Sequence, residues 1–221
     1  MRNSTVIIIP AYNEGRHMEQ ILRSIKAYSD LPVCVVDDGS ADNTGLIAEQ
    51  YADTVIRHSV NMGKGRSLMD GLRKMSSRYQ YAVLMDADGQ HRPEDIEYFT
   101  DKSNYSHDII IGNRDMALHN MPIERYLTNK ITTLVTSLLA GRNTFDSQSG
   151  FRMVNIQKIL HVPIKTFRFQ MESEMLINAG RMGYSISSVT VKTIYGDEIS
   201  KINPVIDTLR FIKMALETLW R

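Results

Sequence analysis

Apolar residues cluster in five short runs along the first half of the chain, at 6–9, 33–36, 55–56, 82–85 and 109–111, each ending near polar or turn residues. Runs of this length, rich in β-branched residues and without alternation, read as strands buried on both faces of a parallel sheet. Between them apolar positions recur at helical spacing: Met18, Ile21, Leu22 and Ile25, then Leu46, Ile47 and Tyr51, then Leu68, Met69, Leu72 and Met75. Strand alternating with helix predicts a doubly wound α/β sheet that collects ligands at the carboxyl ends of its strands.

After Gly112 the rhythm changes to a long helical segment over 123–139, a polar loop at 141–150 and a mixed α/β tail. No repeat, low-complexity tract or Pro/Ser-rich linker intervenes, so the tail is expected to pack onto the same sheet. The closing segment, 204–221, puts Leu209, Ile212, Leu216 and Leu219 on one helical face. At 221 residues, against roughly 150 per domain, one compact unit is favoured over two.

Composition narrows the function classes. Hydrophobic residues at 43% and charged residues at 23% describe an ordinary globular chain. A balance of 26 basic against 25 acidic residues provides no general field for gripping nucleic acid. The single cysteine, Cys34, cannot form an intrachain disulfide or a cysteine zinc site. With neither a signal-peptide-like apolar stretch nor a run approaching the roughly 18 apolar residues of a spanning helix, a cytoplasmic protein is expected, with peripheral contact at a membrane left open.

Three acidic or polar tips carry the chemistry. Pro10, Ala11, Tyr12, Asn13 and Glu14 fall where the first strand gives way to the first helix: Pro10 is expected to stop the strand, Tyr12 offers a flat face for a base and Glu14 an acceptor. Val36, Asp37, Asp38, Gly39 and Ser40 close the second strand. Turn and capping chemistry alone would account for them, but beside a base platform the two carboxylates could accept from a base N–H and a ribose hydroxyl. The 81–85 strand delivers Asp86, Ala87, Asp88, Gly89, Gln90 and His91 to the same edge. Two carboxylates so close raise each other's pKa, and a hard cation, Mg²⁺ or Mn²⁺, relieves this while bridging to substrate phosphates.

Competing motifs fail. A calcium loop starting at Asp86 would need glycine where His91 stands, and Pro93 follows; a phosphate loop around Lys64 would need glycine at Ser59 and Ser or Thr at Gly65. No G-x-G-x-x-G follows a strand, which removes support for a dinucleotide site.

The segments 10–14 (PAYNE), 36–40 (VDDGS), 61–65 (NMGKG), 86–90 (DADGQ), 112–114 (GNR), 149–152 (SGFR), 169–172 (FQME) and Ser200-Lys201 resemble, in order and spacing, the family 2 inverting glycosyltransferases with the GT-A fold, and within them the dolichyl-phosphate mannose synthase branch. The resemblance implies a mostly parallel central sheet flanked by helices, with residues 1–115 as the nucleotide-sugar and metal-binding half and 116–221 as the acceptor-side half. It implies a GDP- or UDP-linked donor held by Pro10, Tyr12, Glu14, Val36, Asp38, Lys64, Asp86 and Ala87, with Arg114, Arg125 and a loop-borne Lys201 toward the phosphates. Asp86, Asp88 and Gln90 would surround Mg²⁺ or Mn²⁺, and Asp88, Arg114 and Glu172 would serve catalysis. The acceptor it implies is a polyprenyl phosphate.

Two departures stand out. The stretch before Ser200 lacks the basic residue usual in this branch, so that one expected phosphate contact is missing or replaced by Lys192, and the Q-x-x-R-W signature of processive polysaccharide synthases is absent. Glu172 and Glu174, two apart on a helix, do not act as a pair; Glu172 is assigned to the acceptor side, as a general base only if the acceptor is an alcohol. The apolar stripes over 127–139 and 204–221 suit core packing, a homodimer contact or an anionic membrane surface, with Lys130, Arg142, Arg210, Lys213 and Arg221 nearby. The histidines show no metal-ligand spacing. Other readings are a transferase with a non-lipid acceptor in cell-envelope glycan synthesis, a nucleotidyltransferase, which would need a glycine- and basic-rich loop after the first strand, and an idle nucleotide-binding module.

Overall fold

The computed structural model describes residues 4–114, 123–166, 168, 170–194 and 204–219. Its elements run β1 (Thr5–Ala11), α1 (Gly15–Tyr28), β2 (Val33–Asp37), α2 (Thr44–Tyr51), β3 (Thr54–Arg57), α3 (Lys64–Met75), β4 (Tyr81–Leu84), α4 (Ile96–Phe99), β5 (Ile109–Arg114), α5 (Ile123–Ala140), β6 (Arg152–Asn155), α6 (Ile156–His161), α7 (Gln170–Arg181), β7 (Ile186–Val191) and α8 (Pro204–Leu219). One seven-stranded sheet, in the order β3-β2-β1-β4-β6-β5-β7, joins both halves of the chain. All pairings are parallel except the two made by β6, which lies antiparallel between β4 and β5.

Alternation across the pleat explains why the first runs are apolar throughout. Ile8, Cys34 and Val36 face one core with Leu68 and Leu72 of α3 and Leu176 of α7. Ile7, Ile9, Val33 and Val35 face a second core with Met18, Leu22 and Ile25 of α1. Burying one such side chain stabilises the fold by roughly 1.5–3 kcal/mol, so helices on both faces are a consequence of the sequence pattern.

Three expectations need correction. Pro10 does not end β1, which continues to Ala11 in register with Asp37; pairing with β4 stops at Ile8–Leu84, so the missing proline N–H removes no ladder bond on that side. Val55 and Ile56 are only half-buried because β3 is the outer strand. On α2 it is Gly45 and Ala48 that face inward, and Leu46 is exposed. In the sheet β6 is inserted between β4 and β5.

Candidate active site

The sheet's carboxyl edge is assembled by loops that hold one another. Past β1, Asn13 adopts φ 53°, a left-handed conformation that asparagine tolerates. Its N–H donates to Ser40 Oγ and its side-chain oxygen accepts from the Ala41 N–H, both at 2.9 Å. Glu14 N–H donates to Thr44 Oγ1 at 2.8 Å and Gly15 N–H to Asp42 Oδ2 at 3.0 Å. These bonds lock the β1–α1 loop against the β2–α2 loop and hold Tyr12, 41% exposed, at the wall of a cleft of about 620 Å³.

Asp38 borders the same cleft but is largely occupied. Its Oδ1 accepts from Met62 N–H at 2.9 Å and contacts His58 Nδ1 at 2.7 Å, and its Oδ2 accepts from Gly63 N–H at 2.8 Å. A carboxylate offers about four acceptor sites, so three are committed to shaping the turn before α3. Asp37 likewise accepts from Ser40 N–H and faces Arg57. The two carboxylates therefore build the loops; Asp38 alone of the pair reaches the cleft.

Gly63, at φ 95°, precedes α3 in a conformation that costs little only in glycine, and thereby sets Lys64 at the first helical position. Lys64 Nζ lies 2.7 Å from Asp86 Oδ1 and 2.6 Å from Glu172 Oε1. Burial opposes the ammonium charge, but the two carboxylates outweigh it and raise the lysine pKa above its usual value. Burial likewise opposes the Asp86 charge, yet Lys64 and His91 hold that carboxyl well below the ordinary carboxylate range. Asp88 is pushed the other way, upward, by burial and by the negative charge of Asp86. One backbone donor, Gln90 N–H at 3.0 Å, faces its Oδ1.

Gly150 leaves the room in which the lysine and aspartate meet: a Cβ there would run into Asp86 Oδ2 and Lys64 Nζ. Gly150→Ala is expected to destabilise the protein by about 1–3 kcal/mol, the usual cost of overpacking, and to weaken nucleotide binding with it. Urea denaturation and nucleotide titration of the variant check this; stability and affinity both unchanged would show the pair can move aside freely.

The opposite wall comes from the second half of the chain. Arg114 donates through Nε to Asp146 Oδ2 at 2.6 Å and through Nη2 to Asp146 Oδ1 at 2.9 Å, a two-point pairing that fixes the guanidinium plane. Beneath, Arg152 is 1% exposed and donates to three backbone carbonyls, Ser149 at 2.7 Å, Glu172 at 3.0 Å and Ser147 at 2.8 Å. The 146–150 loop is thus moulded on a buried arginine.

Pro10, Tyr12, Glu14, Asp38, Lys64, Asp86, Ala87, Asp88, Gln90, Arg114 and Glu172 all line the one cleft. Val36 does not: it points into the core with Ile8 and Cys34. Lys192 does not line this cleft; it borders a separate depression with Arg92 and Glu94. Lys201 and the Arg125 side chain lie outside the described residues. Sequence reasoning missed Arg16, His17, Asn129, Gln148 and Arg168, which also line the cleft; only Arg16 and His17, directly after the 10–14 segment, carried a signal. His91, expected at this edge but given no role from the sequence, sets its buried Nε2 3.5 Å from Asp86 Oδ2.

Among the described residues no three His, Cys, Asp or Glu side chains already converge as a metal-ligand set. Magnesium and manganese do not require one, because they keep waters and take one or two carboxylates together with substrate phosphates. Asp88, poorly compensated in its charge, and the oxygen donors of Asp86 and Gln90 beside it in the cleft fit such a cation.

The family model described as Glycosyl transferase family 2 matches residues 6–162. The chain belongs to that family. Among relatives of this family 2 glycosyltransferase, the UDP-N-acetylglucosamine–dolichyl-phosphate N-acetylglucosaminyltransferase of Methanococcus voltae is 32% identical over 213 residues, covering 86% of this chain and 85% of that protein. The polyprenol monophosphomannose synthase of Mycolicibacterium smegmatis is 28% identical over 202 residues, covering 85% and 76%. Glucosyl-3-phosphoglycerate synthase from Mycobacterium tuberculosis, solved with UDP, matches with a TM-score of 0.78 at 17% identity over 98% of this chain and 80% of that one. The same enzyme with Mn²⁺, UDP and glucosyl-3-phosphoglycerate gives 0.73 at 18% identity, over 98% and 80%. These structures establish the GT-A fold for this glycosyltransferase.

Proposed function

We propose that this glycosyltransferase moves a hexose from a GDP- or UDP-linked donor to a polyprenyl phosphate, with inversion at the anomeric carbon and with Mg²⁺ or Mn²⁺ as cofactor. One observation carries the reading: Asp86 and Asp88 at the end of β4 share a single cleft with Tyr12 from β1 and with Lys64 and Arg114, the cations a diphosphate leaving group requires. The relatives from Methanococcus voltae and Mycolicibacterium smegmatis, by their names, act on dolichyl phosphate and on a polyprenol.

Tyr12 and Glu14 face the nucleoside, and Asp38 keeps the neighbouring turn in shape. Asp86, Asp88 and Gln90 would surround the cation, which would supply positive charge for the departing diphosphate. Arg114, fixed by Asp146, faces the phosphates and stabilises the same charge without reorganising. A phosphate oxygen of the acceptor forms the bond to the anomeric carbon as the bond from that carbon to the diphosphate oxygen breaks. Such an acceptor is already anionic, so no base has to remove a proton; Glu172, bound to Lys64, positions that lysine. Residues 1–115 serve the donor and 116–221 the acceptor, at the cytoplasmic face of a membrane.

The test is a panel of UDP- and GDP-sugars with a short-chain polyprenyl phosphate, in Mn²⁺, Mg²⁺ or a chelator. The expected result is metal-dependent nucleoside diphosphate release matched mole for mole by a lipid-linked sugar. Release of pyrophosphate from a nucleoside triphosphate instead, or sugar transfer only to a non-lipid acceptor, would overturn the assignment.

A further inference from the structure

Not every cation lining the cleft is committed. Lys64 is shared by Asp86 and Glu172, and Arg114 is held at two points by Asp146. The guanidinium groups of Arg16 and Arg168 also line the cleft, and neither enters an ion pair among the described residues. Arg16 stands on the first turn of α1, directly after Glu14 and Gly15, at the nucleoside end. Arg168 comes from the other half of the chain and, though exposed, is carried on a fixed segment. Glu174 of α7, fully buried, accepts with Oε2 from Lys165 N–H at 3.0 Å and from Thr166 N–H and Oγ1 at 2.8 Å. Asn178, one turn further along α7, donates through Nδ2 to the Pro163 carbonyl at 2.6 Å, and Met171 N–H donates to the Arg168 carbonyl at 3.0 Å. A carboxylate buried this deeply is tolerated only where its hydrogen bonds are made, and here they fix the chain leading to Arg168.

We propose that Arg168 binds the phosphate of the acceptor and that Glu174 is its positioning residue. Arg168 enters the cleft from the half of the chain that supplies Gln148, Gly150 and Glu172, while Tyr12, Glu14 and Asp38 of the first half face the nucleoside. The departing diphosphate already meets Lys64, Arg114 and the cation. A phosphate monoester carries about −1.5 to −2 charges at neutral pH and needs a partner of its own; the planar fork of a guanidinium matches two of its oxygens. In transfer, one acceptor phosphate oxygen gives an electron pair to the anomeric carbon while the bond from that carbon to the diphosphate oxygen breaks, its pair leaving with the diphosphate. Negative charge on the acceptor phosphate therefore falls in the transition state, so Arg168 binds and orients it and does not speed the bond change. Its effect belongs in the acceptor's KM. An alcohol acceptor gives this arginine nothing to hold. That the phosphate is borne on a polyprenol rests on the reading above; the phosphate subsite does not.

Calorimetric titration of citronellyl phosphate and of citronellol into the full chain, saturated with Mn²⁺ and UDP or GDP, tests the subsite without any transfer. The parent is expected to bind the phosphate and not the alcohol. Arg168→Met should weaken the phosphate by about ten- to hundredfold, the span for a hydrogen bond to a charged group, and Arg168→Lys should recover part of it, with the melting temperature and the UDP or GDP affinity kept. In transfer assays the same factor should appear in the KM for a short-chain polyprenyl phosphate, and Glu174→Gln should raise that KM while leaving donor affinity alone. A parent that fails to prefer the phosphate, or an Arg168→Met variant that binds it as the parent does, overturns the proposal. So does a loss of UDP or GDP affinity in Arg168→Met, which would give the arginine to the donor. The two readings fail separately: transfer to a polyprenyl phosphate that ignores Arg168→Met removes only the subsite, and phosphate binding that needs Arg168 without transfer to any polyprenyl phosphate removes only the lipid.

Discussion

Lys64→Met is expected to cost about 3–5 kcal/mol of stability, the usual consequence of stripping one partner from a buried ionic cluster, together with all measurable transfer. The lysine is the hub: its ammonium touches Asp86 and Glu172 at 2.7 and 2.6 Å, and methionine keeps the stem while leaving two carboxylates facing each other at the cleft floor. Adding Glu172→Gln to Lys64→Met should recover part of the loss, and the double-mutant cycle by urea denaturation measures how much.

The pH dependence has a definite sign. Asp86 is held below its ordinary pKa, so its contribution is complete above the unfolded value of about 3.9 and is lost as pH falls. Lys64 is held above its ordinary pKa, so its contribution is complete below about 10.4 and is lost as pH rises past that value. The parent should therefore keep the full benefit of the pair from about pH 5 to pH 9. The variant, with uncompensated carboxylates, should gain stability as pH falls from 7 to 5. A variant losing under about 1 kcal/mol, with an unchanged pH profile, would mean the cluster is no more than a surface ion pair.

Asp88→Asn should separate catalysis from folding. Its carboxyl is pushed upward by burial and by Asp86, so its ionised form destabilises the folded protein at neutral pH. Asparagine has no charge to confine, and the melting temperature should stay level or rise. Transfer should nonetheless fall by about 10³-fold, in the range seen when a preorganised electrostatic group is removed, and calorimetric titration should show metal-dependent donor binding gone. Activity within a few fold of the parent would remove Asp88 from the cation site; a collapse in melting temperature would make it structural.

The periodic features of the sequence foretold what periodic physics controls. The buried strands β1, β2, β4 and β5 follow from their unbroken apolar runs and the inward residues of α1 and α3 from period 3.6, and the segments at 10–14 and 86–90 reach the cleft because strand ends must. Non-local pairing was not legible. Nothing in the sequence announces that Lys64 meets Glu172, 108 positions away, that Asp38 turns its oxygens to backbone N–H groups at 62 and 63, or that β6 enters the sheet against the grain. The polarity of α5 was legible as a stripe but not as a direction, since leucines at helical spacing look the same whether they face a core or leave it. His91 was legible at the same edge but without a role, because nothing in the sequence shows that its ring turns toward Asp86.

The reversed course of β6 has a consequence for biosynthesis. Running antiparallel, it sets Arg152 opposite Leu84, so that its entrance rather than its exit lies at the tip of β4. A nascent chain halted on the ribosome before that point would have made Lys64, Asp86 and Asp88, yet would lack both Arg152, on which the 146–150 loop is moulded, and Glu172. The part of the molecule translated first becomes competent only when the later part has emerged and threaded itself in beside it.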